Sequence, residues 1–271
     1  MAYDLTNFVI DRVVRAVAFD QNDYTKVLFS INQVTNPSLN VTSETAEAVD
    51  AMGTPVAIFN RAKSCEFSAE NALFDMNLMA VQSGTTKKSA STDEPIETPM
   101  FETIKAGTET YTLKKAPVDG TLSLHPLNGD GTLGTAFTKG TNANTTAYSA
   151  TVADGATVIT LPKVTGVQFM AIYKYEATGA EGNGAVAVTN SAKDFPVGCR
   201  LVIEVLGCDV CNQTELVYAY LVFPNFKLSS DFDWSMATDS THPFSGRAMQ
   251  NYCDEKKELY QIIIPEVAEE E

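Results

Sequence analysis

The sequence predicts a mainly β fold, a sandwich or barrel with one flanking α-helix and one long loop between strands. Short apolar segments alternate with Gly, Asn, Asp and Pro, which is typical of proteins built from many short strands. One stretch in the first third combines helical spacing of apolar residues with helix start and stop signals. The hydrophobic fraction of 44% and the charged fraction of 20% indicate a folded chain rather than a disordered one.

The 271 residues are long enough to bury a substantial core, and we predict a single domain over residues 1–271. Within it we expect a long acidic loop at 36–53 and an exposed linker at 85–99, because the linker is polar and rich in turn residues. A candidate β-rich insertion covers 116–190.

The N-terminal region predicts a short segment followed by a strand, within residues 8–31, which Asn36 and Pro37 interrupt. The segment from Asn36 to Gly53 carries three carboxylates and neither Lys nor Arg. Long loops inside compact domains are usually functional or disordered, and an ordinary solvated loop is the alternative for this segment.

A hairpin and a helix are predicted next. Apolar and polar residues alternate in 54–59 and in 64–67, on either side of a turn at 60–61, as they do in the two strands of a hairpin. The helix is predicted to begin at Ser68, a good N-cap residue, and to end at Gly84.

In the remainder of the chain the sequence pattern predicts strands. Residues 244–252 are predicted to connect two of them. The predicted strands are Glu109–Leu113, Thr121–Leu124, Ala147–Val152, Val158–Leu161, Val167–Tyr175, Val186–Val188, Cys199–Leu206, Leu216–Phe223, Phe232–Met236 and Glu258–Ile264.

The charge balance argues against tight nucleic-acid binding. With 34 acidic and 19 basic side chains the formal net charge is −15, whereas affinity for phosphates comes from Lys and Arg. Such a surface can repel a polyanion or simply keep the protein soluble. The N-terminus lacks the pattern of a secretory signal and no apolar run reaches the length of a membrane span, so we expect cytoplasmic synthesis and no membrane partner.

The residues that could carry chemistry are few, and we predict neither an enzyme, a metal site nor a cofactor. Cys208 and Cys211 have the spacing of half a zinc site, which Cys199 or Cys253 would have to complete, and buried or turn-flanking thiols are the simpler interpretation. His125 has no recognisable catalytic partner and is predicted to be structural.

Several short phrases follow one another in a characteristic order. They are Gly53-x-x-Val56, Phe67-Ser68 before the predicted helix, Ala116–Thr121, Phe195-Pro196, Phe223–Leu228 and Tyr260–Ile264. This order resembles that of the tail tube proteins, or major tail proteins, of tailed bacteriophages.

The resemblance implies a structural virion protein whose copies form stacked, hexameric rings by joining their sheets. The rings would form the tail tube through which DNA passes during ejection, without specific binding. The implied partners are the protein itself and other tail proteins such as a sheath, a terminator or a baseplate. The implied location is the virion tail, assembled in the host cytoplasm.

In that family a long early loop contacts the next ring, and residues 36–53 match it by position. The resemblance therefore assigns inter-ring or inter-subunit contacts to Asn36, Leu39, Val41, Glu44, Glu47 and Asp50. The alternatives are a capsid decoration protein, a tail terminator or another virion β-sandwich, and a non-viral β-sandwich binding module.

Overall fold

The computed structural model describes residues 7–153, 155–250 and 257–266, and it confirms the mainly β prediction. In these residues there is one helix, α1 (Met76–Gln82), and strands make up the remaining regular structure. The strands are β1 (Phe8–Asp20), β2 (Val27–Ile31), β3 (Val34–Val49), β4 (Pro55–Asn71), β5 (Lys88–Ser89), β6 (Ile96–Ile104), β7 (Thr110–Thr112), β8 (Ser123–Leu127), β9 (Thr138–Lys139), β10 (Ala147–Ala153), β11 (Ala156–Thr160), β12 (Gln168–Ala177), β13 (Val186–Ala187), β14 (Gly198–Asp209), β15 (Asn212–Leu228), β16 (His242–Ala248) and β17 (Gln261–Ile263).

The chain divides into two compact units. The first comprises residues 1–87 and 188–271, and the second comprises Lys88–Ala187. The second unit includes most of the β-rich segment 116–190 and begins earlier in the chain, so that β5 and the start of β6 lie within the stretch 85–99.

The first unit is built on one antiparallel sheet with strand order β2-β1-β14-β15-β16-β4-β3, and β17 adds to β15. Aromatic side chains from distant strands meet in its core. The ring of Phe67 lies 5.8 Å from that of Phe223 and 6.1 Å from that of Phe244, and Phe29 of β2 lies 6.4 Å from Phe244. Because Phe29 belongs to one end of the sheet and Phe67 to the other, the sheet curls around a shared core.

Helix α1 begins later than the predicted start at Ser68. Strand β4 continues to Asn71, and from Cys65 onward alternate side chains are buried while the backbone pairs with β3 on one side and β16 on the other. The N-cap is Asp75, whose carboxylate accepts the N–H groups of the second and third helical residues at 2.9 and 2.7 Å. Pairing on two sides therefore outweighs the local capping preference of Ser68.

The predicted end of the helix at Gly84 agrees with the structure. The backbone of Gly84 has a φ of 68°, a conformation that glycine adopts without strain, directly after the C-cap Ser83. A Cβ atom at this position would lie 2.5 Å from the backbone of Phe195. Glycine is therefore required both by the turn and by the neighbouring chain.

His242 is fully buried beside α1 and connects it to β16. Its Nδ1 accepts the N–H of Asp75 at 3.3 Å, and its Nε2 donates to the side-chain oxygen of Gln82 at 2.8 Å. The amide of Gln82 in turn donates to the carbonyl of Pro243 at 3.0 Å. An Nδ1 that accepts must be unprotonated, so the ring is neutral, and burial lowers the pKa of His242.

This arrangement predicts a loss of stability at mildly acidic pH. The unfolded chain protonates His242 near pH 6.5, whereas the folded protein does so only at lower pH. The contribution of neutral His242 to the free energy of unfolding is therefore fully present above pH 6.5. It falls as the pH drops toward the lowered pKa, by at most about 1.4 kcal/mol per pH unit. We expect the unfolding free energy to decrease between pH 7.5 and 5.5, and His242→Gln to flatten this decrease.

The matched control is Gln82→Leu, which removes the acceptor of the His242 Nε2 bond and leaves the imidazole in place, so that the decrease with falling pH should remain. Equal slopes in denaturant unfolding for the wild type and His242→Gln would contradict the assignment.

Two predictions in the C-terminal third are wrong. Residues 232–236 form no strand, because their aromatic side chains pack on the body instead of pairing: Trp234 stacks on Phe74 at 4.4 Å, and Phe232 lies 6.3 Å from the ring of His242. Residues 244–248, predicted as part of a connection, belong to β16.

The second unit contains a three-stranded sheet, β6-β12-β8, and a four-stranded sheet, β7-β11-β10-β9, and each of its predicted strands overlaps an observed one. Its core includes a buried carboxylate, Glu102. This group accepts hydrogen bonds from the hydroxyls of Tyr111, at 2.8 Å, and Tyr173, and from the N–H of Lys114 at 3.0 Å. Burial and the bond to Glu102 both raise the pKa of Tyr173.

Candidate assembly interface

The first unit contains a long, largely exposed hairpin, which is formed by β3 and β4, two strands of 16 and 17 residues. The predicted loop at 36–53 is therefore wrong for most of its length, since β3 runs to Val49. The turn lies at 50–53, and the turn predicted at 60–61 lies inside β4. Most side chains of β3 face solvent, so the strand lacks the apolar alternation by which strands are recognised.

The base of the hairpin contains a β-bulge at Asn36. The pairs Thr35–Glu70 and Ser38–Ser68 leave Asn36 and Pro37 together opposite a single residue of β4. Asn36 has a φ of 51°, a left-handed conformation that asparagine tolerates better than most residues. Its role in this structure is to bend the strand.

Leu39 and Val41 extend the apolar side of the sheet beyond the core. They pair with Phe67 and Cys65, whose side chains are buried, yet they remain 36% and 44% exposed. Cross-strand partners share a face of the sheet, so the side chains of Leu39 and Val41 lie on the core side of β3. They lie where the core no longer covers that face completely.

Beyond this point, residues 42–64 form a two-stranded projection that we call the distal arm. Its large apolar side chains are exposed, with Ile58 at 61% and Phe59 at 57%. Consecutive strand residues point to opposite faces, so the arm is apolar on both sides. The remaining exposed apolar residues of the arm are Val49, Met52 and Val56. A two-stranded hairpin without a core is only marginally stable in water, and these apolar side chains contribute little burial to the single chain.

The register of β3 and β4 places one of the three carboxylates of the arm opposite a cation-containing part of the facing strand. Glu44 lies opposite a bulge that contains Arg61, and Lys63 is the partner of Ser43. Glu47 lies opposite Ile58. With three carboxylates and two cations the arm has a formal charge of −1, so it is far less acidic than residues 36–53 alone suggest.

Asp50 organises the tip of the arm. Its Oδ1 accepts the N–H groups of Met52 at 2.8 Å and Thr54 at 2.9 Å, and Gly53 follows in a left-handed conformation. The local role of Asp50 is therefore to close the turn.

The structure places the six residues assigned by resemblance along one strand and its turn, and it adds residues that sequence reasoning missed. Those residues are Met52, Val56, Ile58 and Phe59, from the turn and the partner strand. The adjacent apolar residues Ile58 and Phe59 were the signal in the sequence. Neighbouring residues of a strand point to opposite faces, so at most one of the two can face the core of the sheet, and the other must be exposed.

A second exposed apolar surface lies at the far end of β1, β14 and β15. It consists of Val9, Ile10, Val210, Leu216 and Tyr218. In the described part of the chain, β2 pairs with β1 only from Ala16 to Phe19, so the preceding residues of β1 have one unpaired edge. We call Phe8–Arg15 the open edge of β1.

The described cysteines are free thiols, and none belongs to a cluster of three or more metal-ligating residues within the described ranges. Cys65 and Cys199 are buried, and burial raises the pKa of Cys199 to about 12. Cys208 is half-buried and Cys211 exposed, near the β14–β15 turn, while Cys253 lies outside the described residues.

His125 makes two local contacts. Its Nε2 accepts from the hydroxyl of Ser123 at 2.8 Å, and its Nδ1 donates to the carbonyl of Gly134 at 3.0 Å. Both ring nitrogens are thereby engaged in holding β8 to the turn that follows it. As for membranes, the described residues include no helix with the length and apolarity of a bilayer span.

Comparison with curated proteins gives no match. The sequence model of the YomU/Tube protein family, in contrast, matches residues 8–263, which include the whole second unit, most of the first unit and the whole distal arm. This match agrees with the tube-type structural protein that the sequence resembles. The chain therefore belongs to the YomU/Tube protein family.

Proposed function

We propose that this protein is the subunit of a bacteriophage tail tube, and that its copies assemble into stacked rings, six to a ring by the resemblance. The observation that carries this proposal is the distal arm, which exposes apolar side chains on both faces and has no core of its own. In a tube, neighbouring subunits would cover those faces. Membership of a tube protein family supports the same conclusion.

The open strand edges supply the means of joining subunits within a ring. β3 is the last strand of the sheet in the described residues, and the open edge of β1 lies toward the other end. Unpaired edges promote association because their N–H and C=O groups lack partners. Pairing β3 of one copy with the open edge of β1 on the next is a head-to-tail contact, and such contacts generate rings when the rotation closes.

The apolar surfaces supply a contact between rings. The distal arm of one subunit and the exposed residues around Val9, Ile10 and Leu216 of another could each cover the other, burying side chains that the single chain exposes. Burial of about 25 cal/mol per Å² of apolar surface would stabilise the stack.

The acidic composition suits passage of DNA through the tube. With a net charge of −15 the subunit offers few cations to retain phosphates, so DNA would slide past without specific binding. The proposed location is the virion tail, with assembly in the host cytoplasm and contacts to other tail proteins at the tube ends.

The test is negative-stain electron microscopy of the purified protein over a range of concentrations, with native mass spectrometry to count the subunits of a ring. We expect rings or tubes of uniform diameter. A protein that stays monomeric at high concentration and binds capsids instead would be a decoration protein, and irregular aggregates would also contradict the proposal.

A further inference from the structure

Strand direction in the first unit determines how one copy can join the next. Every neighbouring pair along its sheet is antiparallel: β1 with β14, β14 with β15, β15 with β16, β16 with β4, and β4 with β3. An odd number of such steps leaves β1 and β3 running in opposite directions. A rotation about an axis along the strands preserves their directions, so β3 of one copy would meet β1 of the next as an antiparallel pair.

The open edge of β1 offers a defined length for this pairing. On its other side β1 pairs with Glu204–Asp209 of β14, and two bulges absorb Asp11 and Val14. From Ala16 onward the edge is occupied by β2. An incoming strand can therefore pair over six rungs, one for each residue of Glu204–Asp209, and it must leave β1 beyond Arg15.

The end of β3 matches this length. A bulge of β4 lies opposite Glu44, and β3 continues from there to Val49, before the turn at 50–53. Glu44–Val49 is also six residues long. Because a bulge bends a hairpin, the arm can turn away at the rung where β2 of the other copy begins. Aligning the two segments at their ends places Glu44 beside Arg15 and Val49 beside Phe8.

In this register Glu44 and Arg15 lie on the same face of the joined sheet. Arg15 precedes Ala16, which is fully buried in the core, so the side chain of Arg15 lies on the face away from the core. Glu44 lies on that face as well, because it is an odd number of residues from Val41, which is on the core side of β3.

Arg15 can hold a second carboxylate. Its Nε lies 2.6 Å from Glu204, which also accepts the hydroxyl of Tyr220 at 3.3 Å, yet the side chain of Arg15 remains 56% exposed. A guanidinium has five N–H donors, so it can bind Glu204 of its own chain and a carboxylate of another. Although the net charge is −15, the open edge of β1 carries two arginines and one aspartate, whereas β3 carries two glutamates and no cation.

We propose that neighbouring subunits of a ring join by antiparallel pairing of Glu44–Val49 with the open edge of β1, in the register that sets Glu44 beside Arg15. This inference rests on the proposed function and specifies the contact within a ring. The row of Tyr220, Glu204 and Arg15 then continues onto the neighbouring copy. Complementary charges across the contact fix its register and disfavour other pairings.

A double-mutant cycle on assembly tests the pairing. The quantity measured is the protein concentration at which tubes sediment, for the wild type, Arg15→Gln, Glu44→Gln and the double variant. Each single replacement should raise this concentration about fivefold, as expected for one partly exposed ion pair. Because both replacements remove the same pair, the double variant should also need about fivefold more protein, whereas independent effects would multiply to about 25-fold.

The matched control is a second cycle that combines Arg15→Gln with Glu47→Gln, the same change of charge on the same strand. In the proposed register Glu47 points to the opposite face and lies beside Ile10, so the two effects should multiply. Glutamine can still donate to Glu204, and circular dichroism of each variant below its assembly concentration should show the wild-type fold.

Independent effects of Arg15→Gln and Glu44→Gln would overturn the proposed register. Equal coupling of Arg15 to Glu44 and to Glu47 would overturn it as well. Wild-type tubes without the expected coupling reject only this contact, whereas a wild-type protein that forms no tubes rejects the proposed function together with it.

Discussion

Replacing both Ile58 and Phe59 with threonine is expected to leave the subunit folded and to raise the protein concentration at which it assembles into tubes. Both side chains are mostly exposed in the single chain, so their removal costs the fold little, and threonine retains a strong preference for strands. In the assembled tube the same side chains would be buried. Losing two such contacts should cost about 3 kcal/mol per subunit, which raises the concentration needed for assembly about a hundredfold.

The measurement is sedimentation of tubes as a function of protein concentration, with circular dichroism to confirm that the variant is folded. The control is Phe101→Thr, which removes a phenylalanine of the second unit that is 64% exposed and lies outside the arm. We expect the control to assemble at the wild-type concentration. If the double variant assembles equally well, the distal arm is not the assembly contact.

Replacing Glu102 with glutamine is expected to destabilise the second unit by about 3 kcal/mol. The carboxylate accepts three hydrogen bonds in the core, from two tyrosine hydroxyls and one backbone N–H, and it is only 2% exposed. Hydrogen bonds to a charged acceptor contribute about 1.5–3 kcal/mol each, and the amide of glutamine would turn a donor toward groups that already donate. The melting temperature should fall by about 10 °C or more.

Hydrogen exchange can locate this effect, since amides of β6, β7 and β12 should lose protection while those of β14 and β15 keep theirs. The matched control is Glu97→Gln on the same strand, where the carboxylate is exposed and pairs with Lys174 at 3.1 Å. Exposed ion pairs contribute at most about 1 kcal/mol, so this variant should melt close to the wild type. Similar melting of both variants would show that Glu102 is not a structural acceptor.

Much of the second unit was predictable from the sequence. Its strands are short, half-buried and bounded by Gly, Asn and Asp, so the apolar alternation and the turn signals agree with each other. The strand predicted at Val167–Tyr175, for instance, is observed as β12 from Gln168 to Ala177. The glycine at the end of α1 was also predictable, because its requirement is local.

The sequence predicted where in the chain the candidate site lies, but it predicted a loop where the structure has a strand. The resemblance directed attention to Asn36–Asp50, which does belong to the projecting hairpin, and its assignment as a contact stays a prediction. The residues Ile58 and Phe59 of the facing strand were missed, because the hairpin predicted from the sequence did not show that both faces of this strand would be exposed.

The sequence by itself determined that the chain is mainly β, where most of its short strands lie, and where α1 ends, since these depend on local apolar spacing and on residues with special backbone freedom. Only the tertiary structure decided that Ser68 pairs in β4 instead of capping a helix, and that residues 36–49 form a strand instead of a loop. The first outcome depends on pairing of β4 with β16, which is far away in the sequence, and the second depends on pairing of β3 with the next strand, β4, along its whole length. The backbone pairing in these strands outweighs the local preferences of the residues, and the neighbouring residues in the sequence do not indicate it.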